Sequence, residues 1–463
     1  MKSKIILSIL ALSLAVFSVN CSDYLTGGIL DANPNTADEV PLMSQFVALQ
    51  PVCYGFYIQD VGVYTSMWMQ QVAGISNQYI GYEVYNISNV DNFDMWHQMY
   101  MYGGLIDIRA IKTAAEEEGR ITLLALTKIY EALLFATGAD VFGDMPYSEA
   151  ALTAYENPAY DTQLSVHTAC IDLLDEAISA LNGASDLFDD RYDFSFEADR
   201  SHMIAAAYSL KARILLNWAE VNNGNYALAL AAAQNGIGSA SENWTVPFEN
   251  SGNHQNLWYQ FFNERGVYCQ AAKFFVDMMN ADNDPRRPFY FDLDAAGAYS
   301  GSGHGEYNVD SSELSTTYYA AAGYPLDIIS YEETLFMIAE CQYNTGSQTE
   351  ALASLNTALG VCEDKLGLAA NSITRYTGLT GTDLLEAIML EKFKALYLNP
   401  QVWNDWKRTG YPEIVSSASN DIPRRFMYPQ DEYNTNTSAP SSLLGMWARN
   451  QNDPGDPTYL IKK

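Results

Sequence analysis

Two stretches of this chain carry side chains suited to reversible recognition. The first holds Trp68, Gln70, Gln71, Asn77, Tyr79 and Tyr82; in the second, Tyr299 and Tyr307 are set among Gly297, Gly301, Gly303 and Gly305. Aromatic rings offer flat apolar area at little entropic cost, and neighbouring amides and hydroxyls fix the orientation of what lies on them. Glycines allow a backbone to come close to a ligand. Such a surface suits a sugar or a peptide held without chemistry. The competing reading packs Trp68 in a helical core and puts the tyrosines at a protein contact. The expected ligand face is Trp68, Gln71, Asn77, Tyr79, Tyr82, Tyr299 and Tyr307, with the two segments meeting in space.

Reactive constellations do not stand out. None of the 56 acidic residues is marked by its context as half of a catalytic carboxylate pair. His97, His167, His202, His254 and His304 lack metal-ligand spacing. GxSxG, HExxH and phosphate-binding loops do not occur. Asp282 and Asp284 flank a turn beside Pro285 and read as loop-forming, with nothing to support a calcium site. The expectation is a binding protein with no catalytic residue, metal or cofactor.

Charge narrows the partners. A net charge of −31 leaves no basic patch to neutralise phosphates, so nucleic acid is excluded, as is adhesion to an anionic bilayer by charge. Lys2 and Lys4 precede an apolar run over residues 5–19, and Cys21 follows. That pattern reads as a secretory signal over residues 1–20, cut before a lipid-modified Cys21. Loss of Lys2 and Lys4 takes the charge from −31 to −33, which makes a lipid anchor the natural means of holding the protein at a membrane. Residues 21–41 are a polar tether. Cys53, Cys170, Cys269, Cys341 and Cys362 form no CxxC pair. They read as small core residues, with a Cys341–Cys362 bridge across a hairpin as the one conceivable disulfide.

The elements that must position these groups read as helices. In residues 203–236, Ile204, Ala207, Tyr208, Leu215, Trp218 and Ala219 recur at mostly three- and four-residue steps. Asn222-Asn223-Gly224 interrupts them, and Tyr226, Ala229, Leu230 and Ala233 open a second face, which makes an antiparallel hairpin. A similar unit spans residues 330–359, where Gly346, Ala351 and Leu352 repeat Gly224, Ala229 and Leu230. This small-turn-alanine pattern is tetratricopeptide-like. Further helices are expected at 42–50, 52–72 (divided by Pro51), 91–118, 122–137, 166–181, 266–279 and 383–408. Residues 73–90 read as a tyrosine-bearing loop, and residues 239–315 as a loop-rich insertion. The fold class is mainly α, one domain over 42–463 with helix hairpins as scaffold and the insertion bearing the ligand face. Trp96 and Trp403 read as core, and Arg408, Arg424 and Arg425 as ion-pair partners tying the tail to the body.

An ordered set of motifs spans nearly the whole mature length. It comprises Cys21-Ser22-Asp23-Tyr24-Leu25, residues 143–150 (GDMPYSEA), Lys211-Ala212-Arg213, and Asp284-Pro285-Arg286. Tyr331-Glu332-Glu333 with Ala339-Glu340, then Trp403, follow them. Arg408-Thr409-Gly410-Tyr411-Pro412, Pro423-Arg424-Arg425, Tyr428-Pro429 and Asn434 complete the series. In these the chain resembles the SusD/RagB-like nutrient-binding lipoproteins of Gram-negative outer membranes. The resemblance implies a surface-exposed, lipid-anchored body of tetratricopeptide-like pairs. It would sit over a SusC-like, TonB-dependent barrel and capture oligosaccharide or peptide for import. A lipoprotein scaffold binding only protein partners is the alternative, and a surface glycoside hydrolase a more distant one.

Overall fold

The computed structural model describes residues 40–91, 93–265, 268–418 and 421–455. The signal, Cys21 and nearly all of the tether lie outside the described residues. The chain divides into two compact units, Met1–Gln45 and Phe46–Lys463. In the first, the Ser44 amide donates to Pro41 O at 2.8 Å and Gln45 Nε2 to Val40 O at 2.9 Å, which satisfies groups left open at a helix start.

The second unit begins inside α1 (Leu42–Tyr54). Pro51 does not divide this helix as expected: its ring is exposed, and the helix continues into a π-helical turn, Gly55–Val61, and α2 (Gly62–Trp68). The wider turn rotates every later side chain relative to a 3.6-residue count. β1 (Val72–Gly74) and α3 (Gln78–Glu83) occupy the stretch read as a loop. The helix expected over 91–118 is two, α4 (Phe93–Tyr100) and α5 (Leu105–Glu117).

α6 (Ile121–Phe142) is apolar on every side because neighbours cover every side. It is long and apolar enough to cross a membrane, yet 83% of its apolar window is buried in the protein. β2 (Met145–Pro146) and β3 (Tyr160–Asp161) pair after it. Then comes α7 (Gln163–Gly183), capped by Thr162, whose side chain accepts from the Ser165 amide.

The two repeat units appear as hairpins. α8 (Arg200–Asn217) packs on α9 (Gly224–Ala233), and α13 (Tyr331–Asn344) on α14 (Gln348–Leu366). The insertion between them is less loop-rich than expected. It carries β4 (Trp244–Val246), α10 (Leu257–Arg265), β5 (Cys269–Ala271), α11 (Lys273–Ala281), the short α12 (Arg287–Tyr290) and then β6 (Leu326–Ile329). α15 (Gly381–Ala395), α16 (Gln401–Thr409) and α17 (Gln430–Thr435) complete the chain. Ala212, Ala219, Ala229 and Ala233 let α8, α9 and α13 close on one core with Met337 and Cys341. Leu335, Phe336, Ala339, Leu355 and Cys362 form the next, between α13, α14 and α15. Cys341 and Cys362 therefore sit in different cores, and both are free thiols rather than a bridge.

Ion pairs lock the helices together. Arg213 on α8 grips Glu333 on α13 through Nε–Oε1 at 2.8 Å and Nη2–Oε2 at 2.7 Å. Arg408 on α16 holds Glu340 and Asp405. Arg286 holds Asp284 and Glu391 at 2.6 and 2.7 Å. In the tail, Arg424 pairs with Asp453 at 2.8 Å. Arg425 ties tail to body through a carbonyl instead of a carboxylate, donating to Phe142 O at the end of α6. Trp96 and Trp403 are core residues, as expected.

Candidate functional site

Three segments converge at one side of the insertion. β1 pairs antiparallel with β5, Val72 opposite Ala271 and Gly74 opposite Cys269. Ser302 joins the other side of that strand, its amide donating to Ala271 O at 2.9 Å while its carbonyl accepts from Lys273 N at 2.8 Å. Close approach sets the glycines here. A Cβ on Gly74 would lie 2.1 Å from Tyr79 O, and one on Gly301 2.4 Å from Lys273 N, so neither position admits a side chain without backbone movement.

The two recognition segments do meet. His304 Nε2 lies 2.9 Å from Glu83 O, and its Nδ1 2.7 Å from Ser417 Oγ in the tail. The Tyr85 and His304 rings are 5.3 Å apart. Glu83 is buried beneath this junction. Burial raises its carboxyl to about 8, against the Gly305 amide, which pulls the other way. Its Oε2 has no hydrogen-bond partner among the described residues. Burial likewise lowers His304 below the usual histidine range.

Beside α3 lies a hollow of about 250 Å³ lined by Gln59, Asp60, Tyr64, Tyr79, Asp91, Asp94 and Phe261 among others. A second, of about 330 Å³, shares Asp91 and Asp94 and adds Val90, Gln430 and Asp431. The π-helical turn presents Gln59 and Asp60, and Tyr64 follows Asp60 one turn later. Desolvation raises Asp60 to about 7, with repulsion from Asp94 adding to it. Aromatic faces beside amides and carboxylates can stack on a sugar ring and accept from its hydroxyls. Among the described residues, no grouping of three or more His, Cys, Asp or Glu is set to hold a metal ion.

The predicted residues divide between this hollow, the adjoining loops and the core. Tyr79 lines the hollow, 9% exposed, with its ring T-shaped to Phe261 at 5.2 Å and to Tyr82 at 5.5 Å. Tyr82 is half-buried, donates to Asp91 Oδ1 at 3.3 Å, and packs 5.0 Å from Tyr64. Asn77 is exposed in the left-handed region, φ 52°, at the start of α3.

Trp68 and Gln71 require correction: both are 0% exposed. The Trp68 ring packs against Phe426 at 4.7 Å and Trp403 at 5.4 Å, the core arrangement set out as its alternative. Gln71 has its amide satisfied by backbone, Nε2 donating to Phe393 O and Oε1 accepting from Leu398 N. Tyr299 lies under the Arg287 guanidinium at 5.3 Å, and Tyr307 is exposed at φ 55°. Neither lines the hollow. Sequence reasoning missed Asp60, Tyr64 and Phe261. The i, i+4 step from Asp60 to Tyr64 to Trp68 was the available signal, but it points two ways because Trp68 faces inward.

Residues 39–429 match the family described as SusD-like, starch-binding, associating with outer membrane. The chain belongs to the SusD-like family. Solved structures share its fold. A SusD-like protein from Bacteroides thetaiotaomicron VPI-5482 is 21% identical with a TM-score of 0.74, over 88% of this chain and 99% of its own. A SusD homolog from Bacteroides uniformis ATCC 8492 is 20% identical with a TM-score of 0.75, over 90% and 100%. A chitin-binding SusD homolog from Flavobacterium johnsoniae is 17% identical with a TM-score of 0.74, over 90% and 98%. No curated protein matches the chain. The SusD-like motif residues Arg213, Glu333, Glu340, Asp284, Arg286 and Arg408 are the buried ion pairs of the scaffold. They mark the fold and do not line the hollow beside α3.

Proposed function

We propose that this SusD-like protein is a lipid-anchored, surface-exposed outer-membrane subunit, acylated at Cys21. It captures oligosaccharide in the hollow beside α3 and passes it to a SusC-like, TonB-dependent barrel. It carries out no chemistry on the ligand. The observation that carries the reading is the juxtaposition of Tyr64, Tyr79 and Phe261 with Gln59 and three aspartates in one concave surface. Rings cover the apolar face of a sugar, and the acceptors take its hydroxyls. Peptide, the other ligand expected from composition, is less well served, because this hollow lacks an unpaired sheet edge to add a strand to. In this reading Asn77, Tyr82, Tyr299 and Tyr307, outside the hollow, are met by a ligand longer than it.

The test is calorimetry of the full-length protein in detergent against a panel of neutral oligosaccharides. Tyr64→Ala is expected to weaken binding by about ten-fold or more, since stacking and apolar area are lost together, and to lower the melting temperature as well, because the ring packs on Tyr82 and Phe426; the titration is run well below that melt. Binding unaltered by Tyr64→Ala would remove the hollow from the site. The scaffold-only alternative draws on a groove of about 410 Å³ lined by Ile171, Tyr208, Leu215 and Leu228. It gains ground if no glycan binds while a barrel still co-purifies.

A further inference from the structure

We infer that Asn223 is a site of spontaneous covalent modification. The Asn223-Gly224 pair, at the tip of the first repeat hairpin, converts to aspartate or isoaspartate in the folded protein, while the chain's other Asn-Gly pairs stay intact.

The chemistry is set by residue type. An asparagine followed by glycine can close a ring: the glycine amide nitrogen attacks the asparagine Cγ, a C–N bond forms, and the side-chain nitrogen leaves as ammonia. The five-membered succinimide then takes up water at either of its carbonyls. The net change is a carboxamide plus water to a carboxylate plus ammonia, with no oxidant and no cofactor. Glycine favours the attack because it has no Cβ to hinder the approach. The chain holds three such pairs, Asn182-Gly183, Asn223-Gly224 and Asn235-Gly236.

The reaction needs a free carboxamide and a free glycine amide, and the fold withholds both at two of the three. Asn182 donates from Nδ2 to Ile178 O at 2.9 Å. Gly183 is still within α7, its amide part of the helical ladder. Asn235 donates from Nδ2 to Ala231 O at 2.8 Å, and the Gly236 amide to Ala233 O at 3.0 Å. A Cβ on Gly236 would lie 2.3 Å from Ser209 Oγ, so that turn is packed as well as bonded.

Asn223 differs on each count. It is exposed, as are Val221, Asn222 and Gly224 around it. Its side chain makes no cap and bonds to no described residue. Gly224 opens α9, so its N–H precedes the first intrahelical acceptor, and it donates to no described residue. A Cβ there would meet only Asn222 Oδ1, at 3.4 Å. Asn223 holds φ −58° and ψ −21°, and ring closure takes a rotation about ψ for which this exposed turn has room. The new carboxylate falls at a helix N-terminus, where negative charge is favoured. The second repeat hairpin has no equivalent, because Thr345 stands before Gly346. The modification therefore marks one hairpin and not the other.

The test is peptide mapping by mass spectrometry on the full-length protein in detergent, held in mildly alkaline buffer at body temperature and sampled over weeks. Each conversion adds about 1 Da and one negative charge, and electron-transfer fragmentation separates isoaspartate from aspartate. In the folded protein Asn223 is expected to convert about ten-fold or more faster than Asn182 or Asn235, whose hydrogen bonds must open first. In the guanidinium-unfolded chain the three should convert within about three-fold of one another, since only local sequence then acts. Gly224 does not hold a positive φ, so Gly224→Ala keeps the turn and should slow Asn223 by about ten-fold. Equal rates at the three pairs in the folded protein overturn the inference, as does an intact Asn223 under conditions where the unfolded chain converts. A Gly224→Ala protein converting as fast as the native one overturns it too.

Discussion

The pair that joins the two helix hairpins makes a quantitative claim. Arg213 meets both oxygens of Glu333, and the two side chains are 5% and 0% exposed. The same guanidinium donates to Ile328 O at 2.5 Å and lies 5.4 Å from the Tyr57 ring. Arg213→Met preserves most of the packing volume but strands Glu333 in the core, its carboxylate without a counterion. Removing one partner of a buried pair costs about 3–5 kcal/mol. With an unfolding entropy of about 2.1 cal/mol/K per residue over roughly 400 residues, that lowers the melting temperature by about 4–6 °C. Glu333→Leu should cost a similar amount, since Arg213 then keeps only the carbonyl and the Tyr57 face. The double variant removes both charges and is expected to lose less than either single one, because well-packed apolar replacements of buried pairs are often neutral. Differential scanning calorimetry on all four proteins measures the cycle. Additive losses, with coupling within about 0.5 kcal/mol, would refute the reasoning.

Three further outcomes follow from the buried groups. Burial alone would raise Glu391, but Arg286 and Lys394 outweigh it and hold its carboxyl at about 2. Its contribution of about 3 kcal/mol is therefore present above pH 4.5 and lost as pH falls toward 2. Acid melts of native protein and Glu391→Gln should converge across that interval, and a constant gap contradicts it. Glu83 runs the other way. With its carboxyl raised to about 8, its contribution is full below about pH 4.5 and lost as pH rises through 8. Glu83→Gln should melt with the native protein at pH 5 and above it at pH 9; identical melts at both pH values would show that Glu83 is not desolvated. Cys53, Cys170, Cys269, Cys341 and Cys362 are all buried and free. A thiol reagent should find none of them in the folded protein and five after denaturation; a sixth would show Cys21 unacylated, against the proposed anchor.

Much of the scaffold was legible in the chain because its determinants are local. Three- and four-residue apolar steps, alanines at close crossings and glycine turns place both repeat hairpins within a few residues of where they lie. α6 was also recognisable, though extended by five residues beyond Thr137, because a wholly apolar helix gives no polar edge to stop at. Short elements escaped. β1 and α3 are three and six residues long and depend on partners from the insertion, β5 pairing with β1 and His304 lying 2.9 Å from Glu83 O at the end of α3.

The site divides the same way. Residue types alone marked the 68–85 and 299–307 segments as recognition material, and the structure brings those segments together through His304 and Glu83. Which rings face outward was decided by tertiary structure. The π-helical turn at Gly55–Val61 shifts the phase of the helix that follows. The tail then delivers Phe426 and α16 delivers Trp403 to cover Trp68, leaving Tyr64 and Asp60 at the hollow. A side chain's type is written in its codon position, but its exposure depends on segments more than 300 residues away, and no local periodicity carries that information.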